Sequence, residues 1–253
     1  MEINLKGKNA LITGASGGIG RTIAKTLSEC GANVAVHYHS DKMSADALIS
    51  ELLAKGCKAK AFKADITDES QVFKMRDEMA EDFGFPDLIV ANAVIQYQFK
   101  QLLDQDIKDY YSQFESCVMQ MVYLAKAFIP HMQQNHYGRI VAINTECSIE
   151  ALPTFSAYAA GKRGLDGIVR VLAKEVGPDN ITINQIAPGW VITDKERQSG
   201  ICESEGYTSQ VPLRRRGCDQ DIANAAAFLL SDLASFITGA FIPVAGGRVM
   251  PSI

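Results

Sequence analysis

The chain has 253 residues, of which 47% are hydrophobic, so it is long and apolar enough to bury one sizeable core. Its 29 acidic and 25 basic residues give a formal charge of -4, which does not favour binding to nucleic acid or to an anionic membrane surface. We see neither a secretion signal nor an apolar run that could span a bilayer, and we therefore expect a cytoplasmic protein.

Short β-branched runs recur along the chain, with helical patterns between them. We predict seven strands at 10–12, 34–36, 59–62, 88–90, 140–143, 181–183 and 241–244. Strands that alternate with helices are typical of parallel sheets, and continuously apolar strands indicate that helices cover both faces. The predicted fold class is α/β: one Rossmann-type domain, 1–253, with a doubly wound parallel seven-stranded sheet.

A glycine-rich turn, Thr13 to Gly20, follows the first predicted strand and leads into a helix that we place from about Gly18 to Leu27. Glycines allow a sharp turn and close approach of a ligand, and the free N–H groups of a helix start attract phosphate. A strand-to-helix turn without a ligand is the alternative. We favour binding of a dinucleotide through Gly14, Ser16, Gly18, Ile19 and Gly20.

The end of the second strand bears on the choice of cofactor. Tyr38 holds the position where a carboxylate would bind the adenosine ribose and exclude a 2′-phosphate, so we predict that NADP(H) is preferred. Asp41 follows three residues later and leaves NAD(H) possible. His37 and His39 could face phosphate or solvent, and we favour solvent.

The ends of the third and fourth strands supply further candidates for cofactor binding. Asp65, next to Ile66, could accept a hydrogen bond from the adenine amino group or cap the following helix. Asn92 and Ala93 are small enough to leave room for a ribose against the sheet.

Tyr158 and Lys162 stand four positions apart in a segment that we predict to be helical from about 154 to 176. This spacing places both side chains on one helix face, where an ammonium would stabilise a phenolate and lower the pKa of the phenol. The alternative is that Tyr158 belongs to the apolar stripe and Lys162 extends into solvent.

Two predicted helices, 107–132 and 154–176, are apolar on more than one side, which indicates burial or contact with another subunit. The stretch 188–217 is irregular and is typical of a lid or binding loop. The candidate pocket walls are Trp190 and Tyr207 in this stretch, and the side chains around Gln96 and Tyr97. Three consecutive arginines, 214–216, would brace that loop.

The six cysteines form no Cys-x-x-Cys pair and have no histidine at metal-ligand spacing. We therefore predict no metal site and a chain whose thiols stay reduced.

From about Leu5 to Val249 the chain resembles the short-chain dehydrogenase/reductase family, in particular its 3-oxoacyl-acyl-carrier-protein reductase-like members. The resemblance is carried by the glycine-rich turn, Asp65, Asn92-Ala93, Tyr158-x3-Lys162 and Pro188-Gly189-x3-Thr193.

The resemblance implies roles for these residues. Tyr158 would be the general acid in reduction of a ketone and the base in the reverse reaction, and it would also contact the cofactor. Lys162 would lower the pKa of Tyr158 and hold the nicotinamide ribose, and Thr145 would hydrogen-bond the substrate carbonyl. The residues expected along the nicotinamide are Pro188, Gly189, Val191 and Thr193. A homotetramer or homodimer is also implied.

Several positions depart from the family pattern. Thr145 replaces the usual Ser, Val94 replaces a Gly, and Cys117 stands where the family has an Asn that helps to organise a proton path. We predict an NADP(H)-dependent enzyme that reduces a ketone or 3-oxoacyl group, small or bound to an acyl carrier. The alternative is a cofactor-binding paralogue with weak or no activity that serves as a partner or regulatory subunit. A sugar alcohol or steroid dehydrogenase would differ only in its substrate.

Overall fold

The computed structural model describes residues 2–200 and 204–251. One parallel sheet crosses this part of the chain, with the strand order β3-β2-β1-β4-β5-β6-β7. The strands are β1 Asn9–Ile12, β2 Asn33–Tyr38, β3 Ala59–Lys63, β4 Leu88–Ala91, β5 Gly138–Ile143, β6 Ile181–Pro188 and β7 Phe241–Val244. The predicted seven-stranded parallel sheet is thus confirmed.

Helices cover both faces of this sheet, as the apolar strands predict. They are α1 Gly18–Glu29, α2 Lys42–Ala54, α3 Glu69–Asp82, α4 Ile107–Phe114, α5 Gln120–Gln134, α6 Ser156–Val176, α7 Asp194–Gln198, α8 Glu205–Thr208 and α9 Asp219–Leu230. One apolar cluster packs α1, α2 and α9 on one face, and a second packs α3, α5 and α6 on the other. The sheet is therefore doubly wound.

The strand order reverses between β1 and β4. The chain runs from β1 outward to β2 and β3, and then returns to place β4 on the other side of β1. Connections leave in opposite directions at such a point and open a crevice outside the carboxyl ends of the strands, where ligands of this architecture bind. The sheet topology thus locates the candidate site.

The helix predicted over 107–132 is present, but its geometry is not uniform. A π-helical turn, Glu115–Met119, separates α4 from α5. The Ser116 hydroxyl donates to the Ser112 carbonyl at 2.7 Å, and the Gln120 side chain donates to the Ser116 carbonyl. These side-chain bonds compete with the regular backbone ladder, so the helix widens there, with Cys117 at its centre.

The stretch 188–217 is less irregular than predicted, because it contains the short helices α7 and α8. Arg216 braces it from inside: its buried guanidinium donates to the Val191 carbonyl at 3.0 Å and to Glu196 Oε1 at 2.9 Å. The bracing role predicted for the arginine run is thus confirmed for Arg216.

Among the described residues, we find no helix with the length and apolarity to cross a membrane.

Candidate active site

The glycine-rich turn and the end of β4 form one wall of the crevice. Gly14 and Gly18 have positive φ angles of 64° and 51°, which an L side chain rarely adopts. A Cβ on Gly20 would lie 2.6 Å from Asn92 Nδ2 and from the Gly14 carbonyl, so that position also requires glycine. The glycines therefore bring the start of α1 close to β4.

A cavity of about 760 Å³ lies over this wall. It brings together nine of the residues predicted to bind cofactor, namely Gly14, Ser16, Gly18, Ile19, Asp65, Ile66, Asn92, Ala93 and Thr193. Gly17 precedes α1 and supplies no side-chain cap, so the first N–H groups of the helix remain available for a phosphate. These features make the cavity the candidate site for a dinucleotide.

Tyr38 does not line this cavity, in contrast to its predicted place beside the ribose. Its side chain is buried in the apolar cluster under α1 and α2, because successive residues of a strand point to opposite faces. His39, Ser40 and Asp41 line that end instead. The Asp41 carboxylate caps α2 by accepting from the Ser44 amide at 3.0 Å.

Asp65 lies in the cavity but does not cap the next helix. Asp68 is the N-cap of α3, whereas Asp65 Oδ1 accepts from the Thr67 amide at 2.9 Å and from its hydroxyl at 2.7 Å. Asp65 Oδ2 lies 3.8 Å from His39 Nε2. Its carboxylate is thus oriented by its own loop at the edge of the cavity.

His37 is buried, and our preference for a solvent-facing side chain is wrong. Its Nδ1 accepts from the Gly14 amide at 3.0 Å, which leaves Nε2–H to donate to the Ala64 carbonyl at 3.0 Å. The neutral ring therefore ties the glycine-rich turn to the end of β3. Burial, the largest cause, lowers the pKa of His37 to about 4. The strand period could have revealed this burial, because His37 continues a buried run.

We expect this histidine to make the fold acid-sensitive. The unfolded chain takes up a proton near pH 6.5 and the folded chain only near pH 4, so stability falls as the pH drops through that window. The difference corresponds to about 3 kcal/mol. Urea unfolding at pH 7 and pH 4.5 should show a larger loss for the wild type than for His37→Asn. Equal losses would contradict the assignment.

Lys162 and Tyr158 share one face of α6, as their spacing predicts. Lys162 is 3% exposed, its ammonium donates to the Ile143 carbonyl at 2.6 Å, and Nζ lies 5.8 Å from the centre of the Tyr158 ring. The alternative in which Lys162 extends into solvent is therefore wrong. Thr145, which follows β5 closely, lies near the Tyr158 phenol, and its hydroxyl accepts from the Cys147 amide at 3.2 Å.

Burial dominates the ionisation of this group. It raises the pKa of Tyr158 above its ordinary value, the nearby thiols of Cys117 and Cys147 raise it further, and the neighbouring Thr145 hydroxyl opposes them. Burial also lowers the pKa of the Lys162 ammonium. The net direction for Tyr158 is opposite to the lowering predicted from spacing alone. The phenol is protonated at neutral pH and can donate a proton.

A second cavity, of about 450 Å³, opens onto Tyr158 and Thr145. Four of its other lining residues are aromatic: Phe99, Phe155, Trp190 and Tyr207. The predicted wall residues Trp190 and Tyr207 thus do line a cavity next to the phenol. Tyr97 acts differently, since its hydroxyl accepts from the Tyr158 backbone amide at 2.9 Å.

Glu146 and Arg248 are the charged residues that line this cavity, and sequence inspection did not single them out. Arg248 Nη1 donates to Glu146 Oε1 at 2.9 Å, and the Tyr207 hydroxyl donates to the same oxygen at 3.0 Å. Burial raises the pKa of Glu146, which these two bonds oppose. The cluster ties α8, in the predicted lid, to the loop after β5.

The remaining predicted residues surround these cavities. Gly189 lines the aromatic cavity, while Pro188 and Val191 are buried beside it. Thr193 receives support from Glu196, whose Oε2 accepts from the Thr193 amide at 3.0 Å.

Within the described residues, no group of three histidine, cysteine or acidic side chains could hold a metal ion. The five described cysteines are free thiols, and Cys202 lies outside the described residues.

Comparison with known proteins agrees with this architecture. Residues 14–248 match the family described as enoyl-(acyl carrier protein) reductase. The 3-oxoacyl-[acyl-carrier-protein] reductase FabG of Escherichia coli K12 is 36% identical over 250 residues, which cover 98% of this chain and 100% of that protein. The FabG of Staphylococcus aureus Mu50 is 35% identical over 253 residues, covering 96% of this chain and 98% of that protein.

A solved structure shares the whole fold. The crystal structure of an Agrobacterium tumefaciens protein provisionally assigned as a gluconate dehydrogenase superposes with a TM-score of 0.92 at 27% identity, covering 99% of this chain and 100% of that one. The extent of these matches, together with the crevice beside the glycine-rich turn and the Tyr158–Lys162 pair, places the chain in the short-chain dehydrogenase/reductase family of oxidoreductases.

Proposed function

We propose that the protein is an NADP(H)-dependent reductase of a ketone or 3-oxoacyl group. One observation carries the proposal: the protonated phenol of Tyr158 and the hydroxyl of Thr145 face one cavity, and the glycine-rich turn and the strand ends line a larger one. A nicotinamide in the larger cavity would supply hydride. The phenol would supply the proton that the resulting alkoxide requires.

The residues around the substrate carbonyl would have separate roles. Thr145 would donate a hydrogen bond to the carbonyl oxygen and stabilise the negative charge that develops on it, and Tyr158 would transfer its proton to the same oxygen. Lys162, fixed on the Ile143 carbonyl, would hold a positive charge behind the phenol and steady the phenolate left by the transfer. The aromatic walls and the Glu146–Arg248 cluster would keep water away from the site.

Assays with NADPH test this proposal directly. We expect absorbance of NADPH to fall when the protein is mixed with members of a panel of 3-oxoacyl thioesters, acyl-carrier-bound substrates, sugars and small ketones. The relatives named as acyl-carrier-protein reductases favour the first two classes, and the Agrobacterium neighbour favours the sugars. No turnover on the whole panel, with NADPH bound, would favour the second candidate.

That second candidate is a cofactor-binding paralogue with weak or no activity. Cys117 supports it, because a buried thiol is a weak donor and acceptor in place of an Asn. The variant Cys117→Asn discriminates between the two. A large gain in turnover would indicate that the natural chain is impaired, whereas little change would indicate that the site is complete without the Asn.

For cofactor choice, we propose NADP(H) as the preferred partner, with NAD(H) possible. Tyr38 points into the core, so the usual position at the end of β2 offers no carboxylate to bind a ribose, and the Asp41 carboxylate at the cavity edge is engaged as a helix cap. Asp41→Asn keeps a residue that caps a helix equally well and removes one negative charge from the cavity edge.

We expect Asp41→Asn to bind NADPH about three- to tenfold more tightly, because a 2′-phosphate would no longer face that charge. Binding of NADH should hardly change. Parallel fluorescence titrations of wild type and variant with both cofactors measure this. Tighter binding of NADH than of NADPH by the wild type would overturn the proposed preference.

We also propose a homotetramer or homodimer in the cytoplasm. Leu103, Ile107, Tyr111 and Phe114 recur at helical spacing along and just before α4, and each is more than half exposed. A contiguous apolar stripe of this kind is typical of a subunit interface. Sedimentation at micromolar concentration should give a mass of at least two chains of 27.5 kDa. A monomeric mass would contradict the proposal.

A further inference from the structure

Two buried glutamines flank the π-helical turn that contains Cys117. Gln113 is 0% exposed and Gln120 is 3% exposed. Gln113 Nε2 donates to the Ile95 carbonyl at 2.8 Å, and Gln120 Nε2 donates to the Ala93 carbonyl at 2.9 Å. Both side chains therefore hold the same short piece of backbone outside their helix, and Gln120 Nε2 also donates to the Ser116 carbonyl.

The acceptor atoms of these amides are used as well. Gln120 Oε1 accepts from the Thr13 hydroxyl at 2.7 Å, and the oxygen of that hydroxyl in turn accepts from the Asn92 and Ala93 amides at 2.9 and 3.0 Å. Gln113 Oε1 faces Cys117 Sγ at 4.0 Å, the outer limit of a weak sulfur hydrogen bond. Such nearly complete pairing of buried amides rigidifies the groups they bind.

The backbone that they hold has no other regular support. β4 ends at Ala91, and no helix or strand follows it until well beyond Gln96. Residues 92–96 nevertheless form one wall of the larger cavity. The position of that wall therefore depends on bonds from outside the segment.

The helix that carries Gln113, α4, contacts α6, the helix that carries Tyr158. A Cβ on Gly161 would lie 2.7 Å from the Gln113 carbonyl, so α4 and α6 touch through backbone three residues after Tyr158. A shift of Gln113 would thus displace both the cavity wall and α6.

We propose that Gln113 and Gln120 are positioning residues that fix the 93–95 wall against the bound dinucleotide, a task for which the thiol of Cys117 is unsuited. The inference rests on the proposed function, since it concerns the same site. It also explains how the site can work without an Asn at position 117.

The test is binding of NADPH to the full chain, measured by fluorescence titration and independent of turnover. Gln113→Met and Gln120→Met keep the shape of the side chain and remove the donor. We expect each to raise the Kd for NADPH about tenfold and to raise the KM for NADPH more than it lowers kcat. Asn184→Leu is the matched control, because Asn184 is also a buried amide that holds a loop carbonyl, that of Ile237 at 2.7 Å, away from both cavities.

The control separates positioning from general loss of stability. Asn184→Leu should lower the melting temperature while its Kd for NADPH stays within twofold of wild type. The proposal is overturned if both methionine variants bind NADPH as the wild type does, or if Asn184→Leu weakens binding equally. If a methionine variant does not fold, Gln113→Asn or Gln120→Asn, one methylene too short to reach, should show the same rise.

Turnover of carbonyl compounds by the wild type tests the proposed function independently of the Kd comparison. A wild type that binds NADPH but reduces no carbonyl compound would refute the reductase and still allow the Kd comparison to decide on the glutamines. A wild type that binds neither NADPH nor NADH would refute both.

Discussion

Tyr158→Phe should lose about 10²- to 10⁴-fold in turnover, the usual contribution of a positioned proton donor. The variant removes only the hydroxyl, and the ring would still fill its place between the cavity and α6. Binding of NADPH should persist, because Tyr158 does not line the larger cavity. Steady-state kinetics and a binding titration on the same preparation measure both expectations.

Tyr110→Phe is the matched control for this variant. Tyr110 lies on α4 and its hydroxyl is 2.8 Å from the Ser156 hydroxyl at the start of α6, but it lines neither cavity. Its loss should change turnover by less than threefold. Normal activity of Tyr158→Phe would refute the assignment of the proton donor.

The ionisation of the wild type adds a pH signature. Burial raises the pKa of the Tyr158 phenol above its ordinary value of about 10, so the phenol remains a donor throughout the neutral range. The ionisation of Tyr158 should therefore cause no change in the turnover for reduction between neutral and mildly alkaline pH.

Lys162→Met should lower kcat/KM by roughly 10²-fold, because it removes the charge that steadies the phenolate. The stability of the fold should not fall with the activity. Burial lowers the pKa of the Lys162 ammonium, which means that the folded protein bears a cost for holding this charge. A buried ion replaced by an apolar side chain of similar shape is often neutral or stabilising.

We therefore expect the melting temperature of Lys162→Met to equal or exceed that of the wild type, although the hydrogen bond to the Ile143 carbonyl is lost. Lys174→Met, on an exposed face of the same helix, should leave both kinetics and stability unchanged. If Lys162→Met retained wild-type kcat/KM, the charge would have no part in the reaction.

Much of the fold could be predicted because it follows from periodicity. The alternation of apolar strands with helices identifies a doubly wound sheet, and the order of the strands then locates the crevice. The spacing of Tyr158 and Lys162 is a local property of one helix, so it too could be read without tertiary information.

What could not be predicted depends on contacts between distant parts of the chain. Gln113 and Gln120 resemble ordinary helix residues until the widened turn directs them at the end of β4. The pairing of Glu146 with Arg248 joins segments 102 residues apart. His37 was misjudged because polarity suggested solvent, whereas two backbone partners satisfy its buried ring.

The most direct measurement of the central claim is the fate of a labelled hydride. The protein would be mixed with NADPH that carries deuterium at the transferable position and with a carbonyl compound from the panel that it reduces. The alcohol would then be analysed by mass spectrometry and NMR. We predict deuterium on the carbinol carbon for the wild type and essentially no product for Tyr158→Phe. An alcohol without deuterium, or equal product from the two proteins, would contradict the account.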